Sequence, residues 1–232
     1  RLLRKATKGS AFGNRKPLKR FDRNFYVCAF YAGEILRQIE QPAPESRAAK
    51  PKEEPMLDPQ ITTVLFDLDG TLLPMELEKF TNTYFGLLAK KAAPFGFQPE
   101  PLVAAVWKGT KAMVKNDGTE TNDKRFWDTF AGEMGEEVLQ LRPVFDGFYA
   151  NEFHGAKAAC GENPLARRAI DGLKAKGYDV ILATNPIFPL VGVETRLSWV
   201  GLRPEDFSYI TAYENSTTCK PNPAYYAEIL RN

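Results

Sequence analysis

Two aspartates stand two positions apart in Asp67-Leu68-Asp69-Gly70-Thr71-Leu72-Leu73, directly behind the apolar, β-branched run ITTVLF at 61–66. A run of that length and composition reads as a strand buried on both faces. Side chains at the carboxyl end of such a strand face the crevice where α/β sheets bind ligands. Asp67 in that position can attack a phosphorus atom and become a covalent aspartyl-phosphate. Asp69 is close enough to protonate a leaving alkoxide and later to take a proton from water. Gly70 frees the backbone to turn sharply, and Thr71 can hydrogen-bond across the turn. An Asp-Gly pair alone closes many strands that do no chemistry. D-x-D-G-T fixes four residue types, and its place behind a predicted strand favours the chemical reading.

The elements that must position these residues follow from periodicity. After the DLDGTLLP turn, apolar residues recur at helical spacing over 75–93 (Leu77, Phe80, Tyr84, Leu87, Leu88) and again over 99–114 (Leu102, Val103, Val106, Trp107). Asn116-Asp117-Gly118 reads as a turn. Asn122 or Asp123 is expected to cap a third helix, and 136–153 to supply a fourth. Behind Asn163-Pro164 the pattern changes to alternating helices and strands. A helix is expected over 165–176, ended by Gly177, then a strand over 178–183 (YDVILA) stopped by Thr184-Asn185-Pro186. A helix over 190–200 and a strand over 207–212 follow, and Pro221 or Asn222 opens a last helix. Strands alternating with helices of this length predict right-handed βαβ units and a parallel sheet.

The string around Asp67 resembles the first motif of the haloacid dehalogenase superfamily, whose phosphatases read hhhhDxDGTLxx with h apolar. The resemblance implies an α/β fold: an incomplete Rossmann-like parallel sheet core with an inserted all-helical cap. Core segments would be 58–75 and 163–232, with the cap at 76–162 and a basic extension, read as disordered, at 1–57. It also implies roles. Thr184, at the end of the next core strand, matches the second motif. Its hydroxyl and the Asn185 backbone N–H would hold a phosphoryl oxygen, with Thr71 as a further phosphate-binding residue. Lys220, in Cys219-Lys220-Pro221, matches the third and would neutralise both nucleophile and phosphate. Mg²⁺ would sit on the Asp67 carboxylate and the Asp69 backbone carbonyl. More than a hundred residues separate Asp67 from Thr184, whereas a plain βαβ crossover needs about thirty. A cap that closes over the site and selects substrate accounts for the surplus. Lys111 and Lys115, in helical register with Lys108, are the cap's candidates for attracting an anionic substrate. His154, on a helix full of aromatics, is expected to pack rather than react.

One departure concerns the family's fourth motif, an acidic pair after a fourth strand that supplies a further Mg²⁺ ligand. No match to it occurs in 56–232, so the chain is read as C-terminally truncated, with a three-stranded sheet and the Asp67 strand at its edge. Asp206 or Glu214 would have to complete the metal site for this chain to act as it stands. The expected activity is a Mg²⁺-dependent phosphohydrolase acting on a small phosphorylated metabolite. The alternatives are a phosphomutase of the same superfamily or a catalytically inactive fragment.

Composition bounds the rest. The net charge of +2 conceals thirteen Lys+Arg against six Asp+Glu in residues 1–55 and an acidic remainder. The stretch 21–38 reads as one amphipathic helix, and QPAPESRAAKPKEEP at 41–55 as a linker by composition. Met56 is expected to lie near the natural start. Deleting 1–55 should then leave fold and activity intact. Three widely spaced cysteines without a CxxC define no zinc site or disulfide framework, and a reducing, cytoplasmic location is expected. The longest apolar run is about eight residues against the ~20 a membrane helix needs. Neither a membrane nor a nucleic-acid partner is expected.

Overall fold

The computed structural model describes residues 25–27 and 61–231. Four parallel strands stand in the order β1 (Phe25–Val27), β2 (Thr63–Phe66), β3 (Asp179–Leu182) and β4 (Tyr209–Ile210). This is the parallel α/β arrangement that the strand–helix alternation predicts. Between β2 and β3 lie helices α1 (Leu77–Ala92), α2 (Pro99–Val114), α3 (Asn122–Met134), α4 (Arg142–Ala150) and α5 (Pro164–Ala175). Helix α6 (Leu190–Trp199) joins β3 to β4, and α7 (Pro223–Ile229) follows β4. Among the described residues no helix is long and apolar enough to cross a membrane.

Period-two alternation gives each sheet face its own helices. Val64 and Phe66 of β2, with Val180 and Leu182 of β3, join the large core shared with α1, α3, α4, α5 and α6. Leu65, Ile181 and Ala183 point the other way, onto Tyr225 and Ile229 of α7. Asp67 has the parity of Leu65, so the pleat carries it toward the face covered by α7. The β2–β3 register aligns Phe66 with Leu182, and the Ala183 N–H donates to the Phe66 carbonyl at 2.7 Å. Asp67 and Thr184 therefore leave the sheet at the same end.

Five expectations need correction. Residues 25–27 form a strand, not part of a helix over 21–38; the rest of that stretch and 28–60 lie outside the described residues. Phe, Tyr and Val favour a pleated surface, and the free edge of β2 offers unpaired N–H and C=O groups to any such segment. The Asp67 strand is consequently interior, not at an edge, and the sheet has four strands, not three. The helix expected over 136–153 is broken into a 3₁₀ segment (Glu136–Leu141), α4, and a second 3₁₀ segment (Glu152–Ala159). Pro143 favours the opening turn of a helix and not its interior. The strand expected over 207–212 is only Tyr209–Ile210, because Pro204–Asp206 makes a 3₁₀ turn just before it. The third helix is capped by Thr121, whose Oγ1 accepts from the Lys124 N–H at 3.2 Å. Asn122 instead turns inward, fully buried, and donates to the Pro186 carbonyl at 3.1 Å.

Candidate active site

The turn after β2 is pinned by its leucines. Leu68, Leu72 and Leu73 have no exposed surface. Within the turn Leu73 N–H donates to the Leu68 carbonyl at 2.9 Å and Gly70 N–H to the Leu73 carbonyl at 2.8 Å. Gly70 takes φ +76°, the left-handed conformation that favours glycine. Thr71 contributes its backbone, donating to the Leu68 carbonyl at 3.1 Å. With the apolar side chains facing inward, the Asp67 and Asp69 side chains each keep about a third of their surface exposed (31% and 32%), although the Asp69 Oδ1 atom is itself buried. The far end of the helical stretch is tied to this turn, because the Asn163 side-chain amide donates to the Leu72 carbonyl at 2.9 Å.

Lys220 reaches Asp67 from the loop before α7, with Nζ 3.0 Å from Oδ1. Its backbone N–H donates to the Asn185 side-chain oxygen at 3.1 Å, which ties the lysine loop to the end of β3. Thr184 is fixed from below. Its carbonyl accepts from the Tyr225 hydroxyl and from the Thr211 hydroxyl, both at 2.7 Å. Its own hydroxyl is buried and has no hydrogen-bond partner.

Arg196 on α6 completes the cluster, and the sequence reading missed it. The side chain has no exposed surface. Nη1 lies 2.5 Å from Asp69 Oδ2, Nε donates to the Gly192 carbonyl at 3.1 Å, and the guanidinium sits 4.1 Å over the Phe188 ring. A signal existed. Val193, Leu197 and Val200 mark the apolar face of the helix, and Arg196 stands on that face, where an unpaired charge is not tolerated. What it pairs with was hidden by a separation of 127 residues. Burial pushes the Asp69 carboxyl above the ordinary carboxylate range and repulsion from Asp67 adds to this, while Arg196 and Lys220 oppose it. A carboxyl shifted in that direction keeps its proton to higher pH than an ordinary carboxylate.

Among the described residues, three buried side-chain polar atoms lack a hydrogen-bond partner: Asp69 Oδ1, Thr184 Oγ1 and Arg196 Nη2. Such groups are normally satisfied, and each costs about 1–3 kcal/mol when it is not. All three belong to this one cluster. The arrangement suits an anionic group that bears oxygen both to accept from Thr184 and to meet Asp69.

The sequence profile of the haloacid dehalogenase-like hydrolases matches residues 61–232. The chain belongs to that family. Among the curated proteins none matches it. The solved structures that are similar include two of the HAD family enzyme bt-2542 from Bacteroides thetaiotaomicron. One is 17% identical, with a TM-score of 0.39, and the match covers 74% of this chain and 77% of the other. The second, described as the wild-type protein in complex with magnesium and inorganic phosphate, is 18% identical, with a TM-score of 0.37, over 74% and 78% of the two chains.

The remaining candidates of this hydrolase lie elsewhere. Lys111 and Lys115 are exposed at the end of α2, and Lys108 pairs with Glu133. His154 is exposed, and its Nδ1 accepts from Trp199 Nε1 at 3.2 Å. Asp206 and Glu214 are engaged in structure. Asp206 grips Arg167 with both oxygens at 2.6 Å, and Glu214 accepts the Leu190 N–H at 3.0 Å at the start of α6. No group of three His, Cys, Asp or Glu gathers to hold a metal among the described residues. The donors that are present fit Mg²⁺. They are oxygens only, with the Asp67 carboxylate within reach of solvent, and Mg²⁺ is commonly held by one or two carboxylates, water and substrate phosphate.

Proposed function

We propose that this hydrolase is a Mg²⁺-dependent phosphatase that cleaves a small phosphorylated metabolite through an aspartyl-phosphate on Asp67. The observation that supports the reading best is the Lys220–Asp67 ion pair at the end of β2, with unpartnered buried polar atoms on Asp69, Thr184 and Arg196. In the first step Asp67 attacks phosphorus, the ester P–O bond breaks, and Asp69 gives its proton to the leaving oxygen. Lys220 and the Thr184 hydroxyl, with the Asn185 backbone N–H, hold the charge that spreads over the phosphoryl oxygens. In the second step Asp69, now a carboxylate, takes a proton from water as that water attacks the phosphoenzyme, releasing phosphate and freeing Asp67. Arg196 keeps the Asp69 carboxyl aimed throughout. Asp67 and the Asp69 backbone carbonyl would hold Mg²⁺, which when bound would supply positive charge to offset the repulsion between an anionic nucleophile and an anionic phosphoryl group. The helices between β2 and α5 act as the cap.

The test is chemical. Full-length chain turning over a phosphomonoester with Mg²⁺ is quenched with borohydride, which reduces an acyl phosphate to an alcohol. Homoserine at position 67, found by peptide mass analysis, is the expected result. Turnover without any reduction product at 67 would refute the covalent path.

A further inference from the structure

A cavity of ≈150 Å³ lies among α1, α2, α3, α4 and the stretch 187–189. Phe188 is its link to the chemistry. This ring forms part of the cavity wall and also carries the Arg196 guanidinium at 4.1 Å, and that guanidinium holds Asp69 at 2.5 Å. The cavity's other near walls are Leu77, Phe80 and Thr81, the start of the helix that follows the Asp67 turn. The Arg196 guanidinium stands between Asp69 and the Phe188 ring, so an ester with its leaving oxygen at Asp69 reaches this space when its carbon end runs past that pair.

The lining decides what carbon end fits. It contains no Lys, Arg, His, Asn or Gln. Its hydroxyls and the Trp127 indole N–H are engaged with the protein. Tyr84 and Tyr149 bond each other through their hydroxyls at 2.9 Å, and Trp127 Nε1 donates to the Tyr213 hydroxyl at 3.3 Å. Thr81 and Thr110 bond back to the carbonyls of Leu77 and Val106 at 2.8 and 2.9 Å. A sugar or polyol moved into such walls would shed water and regain little. Asp146 is the one acidic side chain in the lining, and Asp123 and Glu214 are near enough to act on the same Tyr213. Asp123 is paired with Arg142, whose guanidinium lies 4.8 Å over the Trp127 ring, so it is the lack of a cationic side chain in the lining itself that disfavours a second phosphate or carboxylate on the substrate. An apolar cavity of this volume holds about one benzene-sized group.

We infer that the substrate is a phosphomonoester of a compact, uncharged, apolar alcohol, about one ring or six carbons in size. This rests on the phosphatase reading above and adds the leaving group.

The experiment uses the full-length chain with Mg²⁺ and alkyl phosphates of similar leaving-group acidity: ethyl, butyl, hexyl, octyl and benzyl phosphate, against glycerol 1-phosphate, glucose 6-phosphate and choline phosphate. kcat/KM is expected to rise about threefold per added methylene, to peak near hexyl and benzyl, and to fall at octyl. A flat series, or a preference for glycerol or glucose phosphate, overturns the inference while leaving the phosphatase reading intact. A preference for choline phosphate overturns it too, because the rings would then be serving as a cation cage. Thr110→Phe, and independently Thr81→Phe from the facing helix, should move the optimum to a shorter chain. An unmoved optimum in a folded variant also overturns the inference. Binding of benzyl alcohol to the full-length chain, followed by tryptophan fluorescence, reads the cavity without turnover. If no ester is cleaved the phosphatase reading fails and takes the substrate assignment with it, whereas absent binding with active ester cleavage refutes the cavity assignment alone.

Discussion

Arg196 and Asp69, 127 residues apart in the chain, meet at 2.5 Å, and the arginine has no exposed surface. A buried guanidinium needs a counter-charge. Asp69 is the ion-pair partner found for it, so packing of α6 and orientation of the Asp69 carboxyl are one event. Arg196→Met should lower stability by about 1–3 kcal/mol, less than a fully buried pair would cost because Asp69 is about a third exposed. It should lower kcat about 10- to 100-fold with a small change in KM, and Arg196→Lys should recover only part. A lysine keeps the charge but cannot bond Asp69 and the Gly192 carbonyl together. Denaturant titration and steady-state kinetics on the same preparations check both. Unchanged kcat in Arg196→Met would end the positioning role.

Thr184→Val separates function from stability. The native hydroxyl is buried and unpartnered, and valine replaces it with a methyl of similar shape. Stability should be unchanged or rise by about 1 kcal/mol. Phosphatase activity should fall about 100-fold, the usual cost of one donor to a developing oxyanion. A variant less stable than the parent and fully active would reverse both assignments.

Asp67→Asn should cost at least about three orders of magnitude in rate, since the covalent path is lost. Asp69→Asn should be more selective. Its penalty is expected to grow as the leaving alcohol becomes a poorer leaving group, because only poor leaving groups need the proton. Equal penalties for aryl and alkyl phosphates would count against the acid role.

Much of this site was readable because its residues stand where elements end. ITTVLF and YDVILA are apolar runs of strand length, so Asp67 and Thr184 could be placed at strand termini before any contact was known. Lys220 by itself reads as a surface charge and is legible only through its resemblance to the family's third motif, and it does reach Asp67, at 3.0 Å. Arg196 was not read because an arginine two residues after Glu194 inside LVGVETRLSWV gives no hint of a distant carboxylate. The break around Pro143 was misread because aromatic spacing over 136–153 mimics one continuous helix. Residues 25–27 were misread for a related reason: a short aromatic run in a charged stretch fits a helix face as well as a strand, and only the waiting edge of β2 decides between them.

A pH dependence of stability should come from Asp206. Two bonds from Arg167 hold its carboxyl below the ordinary range despite some burial, and the Arg203 N–H adds a third at 2.7 Å. A carboxylate whose folded pKa is depressed stabilises the fold above its unfolded pKa, near 3.8. That contribution is lost as pH falls through the lower folded value. Asp206→Asn should therefore be destabilised by about 1–2 kcal/mol at neutral pH, and the gap to the parent should narrow below ~pH 4. Urea titrations at pH 7 and pH 3 measure it. A gap of equal size at both pH values would mean that packing, not charge, is what Asp206 supplies.

The N-terminal strand changes the expected result of a truncation. Read from composition, residues 1–55 are dispensable. The pairing of Phe25, Tyr26 and Val27 with Thr63, Val64 and Leu65 says otherwise. Without β1, the strand that carries Asp67 becomes an edge, and its N–H and C=O groups stand unpaired beside a largely apolar run, TVLF. Removing residues 1–28 should then lower the melting temperature by more than about 5 °C and give concentration-dependent association in light scattering. Activity should fall along with it, because Asp67 hangs from the end of that strand while Lys220 approaches from the α7 side. Full-length and shortened chains compared by calorimetry and scattering decide the matter. A shortened chain that stays monomeric and melts at the same temperature would show that β2 does not depend on its neighbour.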